Sequence, residues 1–475
     1  MMTMEATAKN KSKVWSQWLA ASTLHVLAIL DGLVGGWTSP YLTKLTTGAE
    51  AVKITNDEAS WIATLYLSCQ PLGSIVAAVI VHNMGAKKAA LFAGVPHALG
   101  WSCFLINESV SSIYTARVLC SCGLGMYFST FPLYIGEIGS PKIRGALTSF
   151  VGQGGGIGYL LGNLLGAYLP MRSFALVGLT LSIIFMLSFF FLPDSSHYLV
   201  KINKIKKAEK SLKWYSRQTD VRSELDALIE YIGTPQKSSL SHKEKLKLIL
   251  TPLNRKLLMI VLGIHGFVYL SGAYVIPMYM EILLTTLKID VMAPSDVVIC
   301  VAIVAVIGGF VTTYTNDHFG RRTMLAVAAL GVSISFILIG INFLLLRHGH
   351  NVSNFQWLII AEFMMYLFFV NVGLTNIPCC IVGEIFPSEL KGLGSCLSNI
   401  VSALAATVAS KGYQPVLDRT SEEFIFFFNA SILFALFIYA IAVVPETKGQ
   451  SLQEIQNMFK KKSERRLMKD WTIEV

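Results

Sequence analysis

Glu137-Ile138-Gly139-Ser140-Pro141-Lys142-Ile143-Arg144-Gly145 has a worn copy in Glu384-Ile385-Phe386-Pro387-Ser388-Glu389-Leu390-Lys391-Gly392. In both, an acid is followed, after an interval of the same length, by a base and a glycine. Two further marks repeat at a similar offset. Gly85-Ala86-Lys87-Lys88 is echoed by Gly320-Arg321-Arg322, and Pro193-Asp194-Ser195 by Pro445-Glu446-Thr447. Each copy sits where an apolar run meets a basic loop. A period of about 240 residues is far too long for a solenoid repeat. It reads as a duplicated pair of membrane halves, an architecture in which two bundles rock about a central site.

The composition agrees. The 475 residues are 53% hydrophobic and 14% charged, with a mean hydropathy of +0.56. A soluble chain of this length would form about three domains, and this composition excludes that. Twelve stretches contain no Asp, Glu, Lys or Arg: 14–30, 59–81, 89–107, 118–136, 145–171, 173–193, 257–280, 297–316, 323–346, 363–383, 392–410 and 424–445. A bilayer core of ~30 Å takes about 20 residues of helix, which these lengths match. Six precede the polar segment 194–255 and six follow it. The sequence therefore predicts an all-α membrane protein with twelve transmembrane helices in two pseudo-symmetric six-helix bundles. The bundles cover 1–193 and 256–445, with short cytoplasmic helices over 194–255 and a cytoplasmic tail over 446–475.

Orientation follows from the basic loops. Segment 194–255 holds 13 Lys and Arg against 7 Asp and Glu. Lys9, Lys11, Lys13, Lys87, Lys88, Arg321, Arg322 and the tail from Lys448 fall on the same side, so both termini are expected in the cytoplasm. The net charge of +10 is thus an orientation signal and no sign of nucleic acid. The sequons at Asn107 and Asn351 fall on the predicted outside, where glycosylation can occur; the one at Asn10 falls inside. The first 13 residues are polar and the first span lacks a small-residue cleavage site, so no cleavable signal peptide is expected. Cys69, Cys103, Cys120, Cys122, Cys300, Cys379, Cys380 and Cys396 lie in apolar spans, which excludes an extracellular disulfide framework. The adjacent pair Cys379-Cys380 has no metal spacing and reads as packing.

In segment 194–255, Leu225, Leu228, Ile229 and Ile232 share one helical face, which predicts short amphipathic helices against the inner side. The charged residues at the inner ends form a set. Glu137 and Arg144 flank the loop between spans 4 and 5, and Glu384 and Lys391 the loop between spans 10 and 11. Lys87 and Lys88 close span 2; Asp317, Arg321 and Arg322 close span 8. Opposite charges on different bundles can pair when the inner mouth shuts and part when it opens. Each partly exposed pair is worth ~1 kcal/mol, and several together bias a two-state equilibrium. Duplication in register favours a gating role over simple anchoring.

These residues carry a resemblance. Arg117, Gly123-Leu124-Gly125, Pro132-Leu133-Tyr134-Ile135-Gly136-Glu137 and Arg144-Gly145 resemble the span 4–5 region of the sugar porter family of the major facilitator superfamily. So do Asp317-His318-Phe319-Gly320-Arg321-Arg322, Gly383-Glu384-Ile385-Phe386-Pro387 and Pro445-Glu446-Thr447-Lys448-Gly449. Pro193-Asp194-Ser195-Ser196-His197 looks like a worn copy of the family's mid-chain motif. Gly35-Gly36-Trp37-Thr38-Ser39-Pro40 is similar to the insect facilitated trehalose transporter branch. The resemblance spans the chain and implies the major facilitator fold, with two bundles facing a central cavity.

Departures concentrate in the ligand shell. Family members that transport hexoses carry two glutamines and an asparagine around the span 7 Ser-Gly. This chain has Val268 and Tyr269 before Ser271-Gly272, and Tyr274 where the asparagine would stand. Span 10 reads Thr375-Asn376-Ile377-Pro378-Cys379 and lacks the family tryptophan; span 11 has Ser402-Ala403 in place of Asn-Trp. Gln153 sits one position later than the usual span 5 glutamine, and His82-Asn83 replace Asp-Arg after span 2. A polyol needs hydrogen-bonding groups and an aromatic face in a dry cavity. Candidates are Gln153, Tyr269, Ser271, Tyr274, Tyr279, Asn371 and Asn376, although each tyrosine can equally be packing. Asn376 stands beside Pro378, which frees a backbone carbonyl. The glycines around Gly154-Gly155-Gly156 read as close helix packing.

Asp31 and Arg117 lie at comparable depth in spans 1 and 4. An unpaired charge there would be expensive, so the two are expected to pair. In proton-coupled sugar porters an acid on span 1 near this arginine resembles the proton carrier; Asp31 is offset from that position, and structural pairing and proton coupling both stay open. His25, His97 and His265 can titrate. Gly154–Gly156 lacks a following Gly-Lys-Ser, so neither ATP-driven transport nor an enzyme is expected, and no cofactor or metal. The expectation is facilitated passage of a sugar, trehalose or a hexose, by alternating access. A proton symporter using Asp31 and a carrier of another small neutral solute are the alternatives. Partners are the sugar and the lipid bilayer, with a monomer in the plasma membrane as the expected working form.

Overall fold

The computed structural model describes residues 14–140, 143–218, 220–233, 242–350, 355–386 and 388–448, and the regular elements among them are helices. The chain divides into two compact units. Unit 1 comprises Met1–Ser238 with Met278–Ile282, and unit 2 comprises Ser239–Pro277 with Leu283–Val475.

Unit 1 is built from α1 (Trp15–Thr47), α2 (Asn56–Ser68), α3 (Gln70–Met84), α4 (Ala86–Ile106), α5 (Val110–Ile138), α6 (Arg144–Tyr168) and α7 (Met171–Phe190). The pair α2 and α3 is a single span broken at Cys69, because Pro71 has no N–H with which to continue the ladder. Thr55 and Glu58 form a capping box at the start of α2. At the end of the unit where α4 and α6 begin lie three short helices, α8 (Ser196–Lys201), α9 (Ile205–Ser216) and α10 (Arg222–Gly233). Leu199, Val200, Ala208 and Leu225 form their core, with Leu228 and Ile229 packed against it. The apolar face expected from the spacing is thus used; the Ile232 side chain lies outside the described residues. Tyr215 ties α9 to the spans, its hydroxyl 2.7 Å from that of Tyr134 and donating to the Pro193 carbonyl at 2.9 Å.

Unit 2 contains α11 (His242–Ile249), α12 (Pro252–Leu270), α13 (Met280–Thr286), α14 (Pro294–Phe319), α15 (Arg321–Arg347), α16 (Gln356–Phe369), α17 (Ile377–Ile385), α18 (Ser388–Leu417) and α19 (Glu422–Ala442); the first residues of α13 group with unit 1. Exposed apolar side chains such as Ile75 and Val79 on α3 or Leu404 and Val408 on α18 are what a helix presents to lipid.

Among the described residues, eleven helical segments are long and apolar enough to cross a membrane. The predicted span absent from that set is span 5, α6, and the reason is its packing. A Cβ on Gly158 would press on the Ile29 backbone, one on Gly162 on Gly36, and one on Gly166 on the Pro40 ring. Glycine lets α6 lie against α1 backbone to backbone, at the cost of apolar side chains and hence of hydropathy.

Candidate transport site

In unit 2, span 7 is interrupted between α12 and α13. Ser271 closes α12, its Oγ donating to the Val268 carbonyl at 2.7 Å and accepting from the Ala273 N–H at 3.4 Å. Gly272 follows at φ +71°, and a Cβ there would sit 2.6 Å from Asn429 Nδ2, so both conformation and space demand glycine. The Ala273 carbonyl, released from the helix, accepts from the Tyr366 hydroxyl at 2.6 Å. Span 10 is interrupted as well, with a π-helical turn at Val370–Leu374 between α16 and α17. Pro378 offers no N–H to the Leu374 carbonyl four residues back. The Tyr274 hydroxyl occupies that place, 3.3 Å from Leu374 O and 3.3 Å from Thr375 Oγ1. Tyr269 stacks on Tyr274 with ring centroids 4.7 Å apart and planes 17° from parallel. The two breaks are thereby linked, and the Ala273 and Leu374 carbonyls gain the partners that a bilayer requires.

The predicted binding residues are distributed unevenly. Tyr269 and Tyr274 are half-buried at the linked breaks, and Asn376 is exposed at the start of α17. Ser271 is fully buried and its hydroxyl is engaged in closing α12, so it is a cap rather than a free ligand group. Asn371 gives its Nδ2 to the Leu367 carbonyl at 3.0 Å and packs toward Gly308 of α14. Gln153, half-buried on α6, and Tyr279, 3% exposed, group with unit 1.

The interior of unit 1 corrects one expectation. Asp31 does not pair with Arg117; its Oδ1 lies 2.8 Å from Nε2 of His97 on α4, both residues being buried. Arg117 is satisfied by α1 and α2. It donates from Nη1 to Val34 O at 2.9 Å, from Nε to Ile62 O at 3.2 Å, and from Nη2 to Thr38 Oγ1. Its guanidinium lies over Trp37 and Tyr66, 4.8 and 5.0 Å from the ring centroids. Three acceptors and two π faces leave it no need of a carboxylate. Gly123 makes room for the imidazole, since a Cβ there would lie 2.5 Å from His97 Nε2.

The ends of the units where α4, α6 and α15 begin hold the duplicated charges. In unit 1, Glu137 accepts from Ser195 Oγ. Lys87 donates to the Phe190 carbonyl at 3.1 Å and to that of Leu192, with Asp194 at 3.9 Å; Lys88 beside it is half-buried. Arg144 turns back on its own loop, donating twice to the Gly139 carbonyl at 3.2 and 3.1 Å. Burial, and then the neighbouring Arg144, hold His197 below the usual imidazole range. In unit 2, Arg321 donates to Glu384 Oε1 from Nε at 3.1 Å and Nη2 at 2.9 Å, while Thr447 Oγ1 donates to Oε2 at 2.5 Å. Glu446 accepts the backbone N–H groups of Arg321, Arg322, Thr447 and Lys448 at 2.9–3.2 Å. Arg322 donates to the Ile441 carbonyl. The Asp317 and Lys391 side chains lie outside the described residues, as does Asn351; Asn107 is exposed at the end of α4.

A family model described as Sugar (and other) transporter matches residues 20–459. The chain belongs to this family. It is 27% identical over 447 residues to the facilitated trehalose transporter Tret1 of Bombyx mori, covering 93% of this chain and 86% of that one. To Tret1 of Anopheles gambiae it is 27% identical over 454 residues, covering 94% and 56%; against Tret1 of Drosophila persimilis it spans about half of the relative, 51%. Among solved structures, the inward-open xylose transporter XylE from E. coli aligns with TM-score 0.76 and 16% identity over 94% of this chain and 100% of that one. The proton:xylose symporter XylE bound to 6-bromo-6-deoxy-D-glucose aligns with TM-score 0.71 and 17% identity over 93% and 99%. This member of the Sugar (and other) transporter family is therefore a multi-pass membrane protein with the twelve-helix major facilitator fold. What its sequence does not mark as partners are His97 for Asp31, Thr375 and Tyr366 at the breaks, and the hydroxyls of Ser195 and Thr447. A lone polar residue in an apolar span is the one signal that points to His97 and Thr375.

Proposed function

We propose that the chain carries trehalose or a hexose across the plasma membrane by facilitated diffusion and alternating access. Its relatives named facilitated trehalose transporters support the sugar, though the chain spans only 51–56% of several of them. The observation that carries the reading is the linked pair of breaks in unit 2, where Tyr269, Tyr274 and Thr375 set an aromatic face beside hydroxyls. Discontinuous spans are where transporters of this kind hold substrate, and sugars take aromatic faces with convergent hydrogen-bonding groups. In this reading the substrate residues are Tyr269, Tyr274, Asn371 and Asn376 of unit 2 and Gln153 and Tyr279 of unit 1. The inner charges Lys87, Lys88, Glu137, Arg144, Asp317, Arg321, Arg322, Glu384 and Lys391 act as its gate. Bundles over 1–193 and 256–445, cytoplasmic termini, a monomeric working form and glycosylation at Asn107 and Asn351 complete it.

Uptake of labelled glucose, fructose, trehalose, sucrose and a polyol into oocytes, with and without a pH gradient, tests this directly. Saturable uptake of one sugar, indifferent to the gradient, is expected. The buried Asp31–His97 pair favours one second reading, a proton symporter: uptake that collapses with the gradient and with Asp31→Asn would establish it. Surface expression without sugar uptake would assign the altered ligand shell to another neutral solute.

A further inference from the structure

The inner ends of the two units match at a glycine, a base and a hydroxyl, with an exception between the first two. Gly85 and Gly320 precede α4 and α15 in nearly the same backbone conformation, φ +87° and ψ 163° against φ +86° and ψ 155°. Two positions on, Lys87 and Arg322 both donate to carbonyls at the end of the last span of their unit, Phe190 and Leu192 in one and Ile441 in the other. Ser195 and Thr447 both donate to the acid, Glu137 and Glu384. The exception is the residue between. Arg321 directs two N–H groups onto Glu384, whereas its register partner in unit 1 is Ala86.

Beside Ala86 the structure opens a cavity of about 220 Å³ whose walls include Gly85, Glu137, His197, Tyr198 and Lys201. The half-buried Glu137 carboxylate has no Lys, Arg or His nitrogen within 4 Å among the described residues; it accepts from the neutral Ser195 hydroxyl, and the Lys201 ammonium acts on it from farther off. The Tyr198 ring closes over Gly85, where a Cβ would sit 2.6 Å from its Cγ, and gives the cavity an aromatic wall suited to a planar cation. A guanidinium fits a carboxylate through two parallel N–H donors, as Arg321 does in unit 2. Exposed Lys201 is the one adverse charge on the walls.

We propose that this cavity binds a guanidinium group, supplied by a small solute or by an arginine of another polypeptide, which completes at Glu137 the clamp that Arg321 completes at Glu384.

Thermal unfolding of the purified full-length chain tests it with methylguanidine, against methylammonium at the same low millimolar concentration. A rise in Tm of about 2 °C is expected with methylguanidine and none with methylammonium. Ala86→Arg supplies the group in cis and should raise the baseline while abolishing the response; Glu137→Gln should abolish the response alone, and decides the matter if Ala86→Arg fails to fold. N-acetylarginine amide distinguishes the sources: a matching rise points to a protein-borne arginine, and a response to methylguanidine alone to a small solute. No rise in the wild type, an equal rise with methylammonium, or a response retained in Glu137→Gln overturns the proposal. So does a Lys201→Ala chain that starts responding where the wild type does not, because Lys201 itself would then fill the site.

Discussion

Unit 1 and unit 2 share a helical plan and matching inner ends, yet they organise their polar interiors in opposite ways. Around its buried polar centre unit 1 keeps α1, α4 and α5 continuous and buries ionisable groups against fixed partners: Asp31 against His97, and Arg117 against carbonyls, Thr38 and two aromatic faces. Unit 2 interrupts spans 7 and 10 at its polar centre and satisfies the Leu374 and Ala273 carbonyls with tyrosine hydroxyls. Buried charge pairs are rigid, because either partner alone is costly. Neutral hydroxyls at a broken helix can exchange one acceptor for another at far smaller cost. The comparison assigns unit 1 the stiffer centre and unit 2 the adaptable one.

The largest expected effect follows from breaking the rigid side. His97→Ala leaves Asp31 buried without its partner and should destabilise the chain by about 3 kcal/mol, read as a lower Tm and a smaller folded fraction after detergent extraction. Adding Asp31→Asn to that variant should recover much of the loss, since a neutral amide is cheaper to bury than a lone carboxylate. The double variant separates pairing from mere packing. If the two losses simply add, Asp31 and His97 are not coupled and the rigid reading of unit 1 fails.

The contrast also explains what could be read from sequence. Twelve spans, their orientation signals and the duplicated Glu137 and Glu384 segments follow from hydropathy, charge and spacing, which are properties of the chain itself. Span 5 shows the limit from the other side: the same glycines that let α6 lie on α1 dilute its hydropathy, yet the absence of charge over 145–171 still marks it. Pairings across helices are another matter. Asp31 and Arg117 share a depth, but depth does not fix azimuth, and Arg117 is turned toward Val34 and Thr38 while His97 faces Asp31. The azimuth of Asn371 is likewise not in the sequence: its Nδ2 donates to the Leu367 carbonyl and its Cβ lies toward Gly308 of α14. Pro378 marks a break, but that Tyr274 supplies the missing donor depends on how α12 ends at Gly272.

A smaller effect is expected on the adaptable side. Tyr274→Phe removes the donor shared by Leu374 O and Thr375 Oγ1 and keeps the ring that stacks on Tyr269. The net cost of one such hydrogen bond is about 1 kcal/mol, so the protein should still fold, with uptake lowered through KM more than through surface abundance. Pro378→Ala returns an N–H to the Leu374 carbonyl. Combined with Tyr274→Phe it should restore the Tm while leaving uptake impaired, because the break itself is repaired. Full recovery of uptake would show that the interruption of span 10 has no part in transport.

The smallest effect lies at the inner ends and belongs to unit 1 alone, for the register partner of His197 in unit 2 is Gly449. His197 is held below its ordinary value first by burial and then by Arg144. The unfolded chain therefore takes up a proton near pH 6.5 that the folded chain resists. His197 causes no loss of stability above that pH, and stability is progressively lost as the pH falls through it toward the lower folded value. The site is half-exposed and screened by solvent, so the contribution should stay under about 1 kcal/mol. Tm measured from pH 7.5 to 5.5 should fall less steeply in His197→Gln than in the wild type. Identical slopes would move the acid sensitivity elsewhere. A slope that vanishes only when Arg144 is also neutralised would make repulsion between the two bases, rather than burial, its main source.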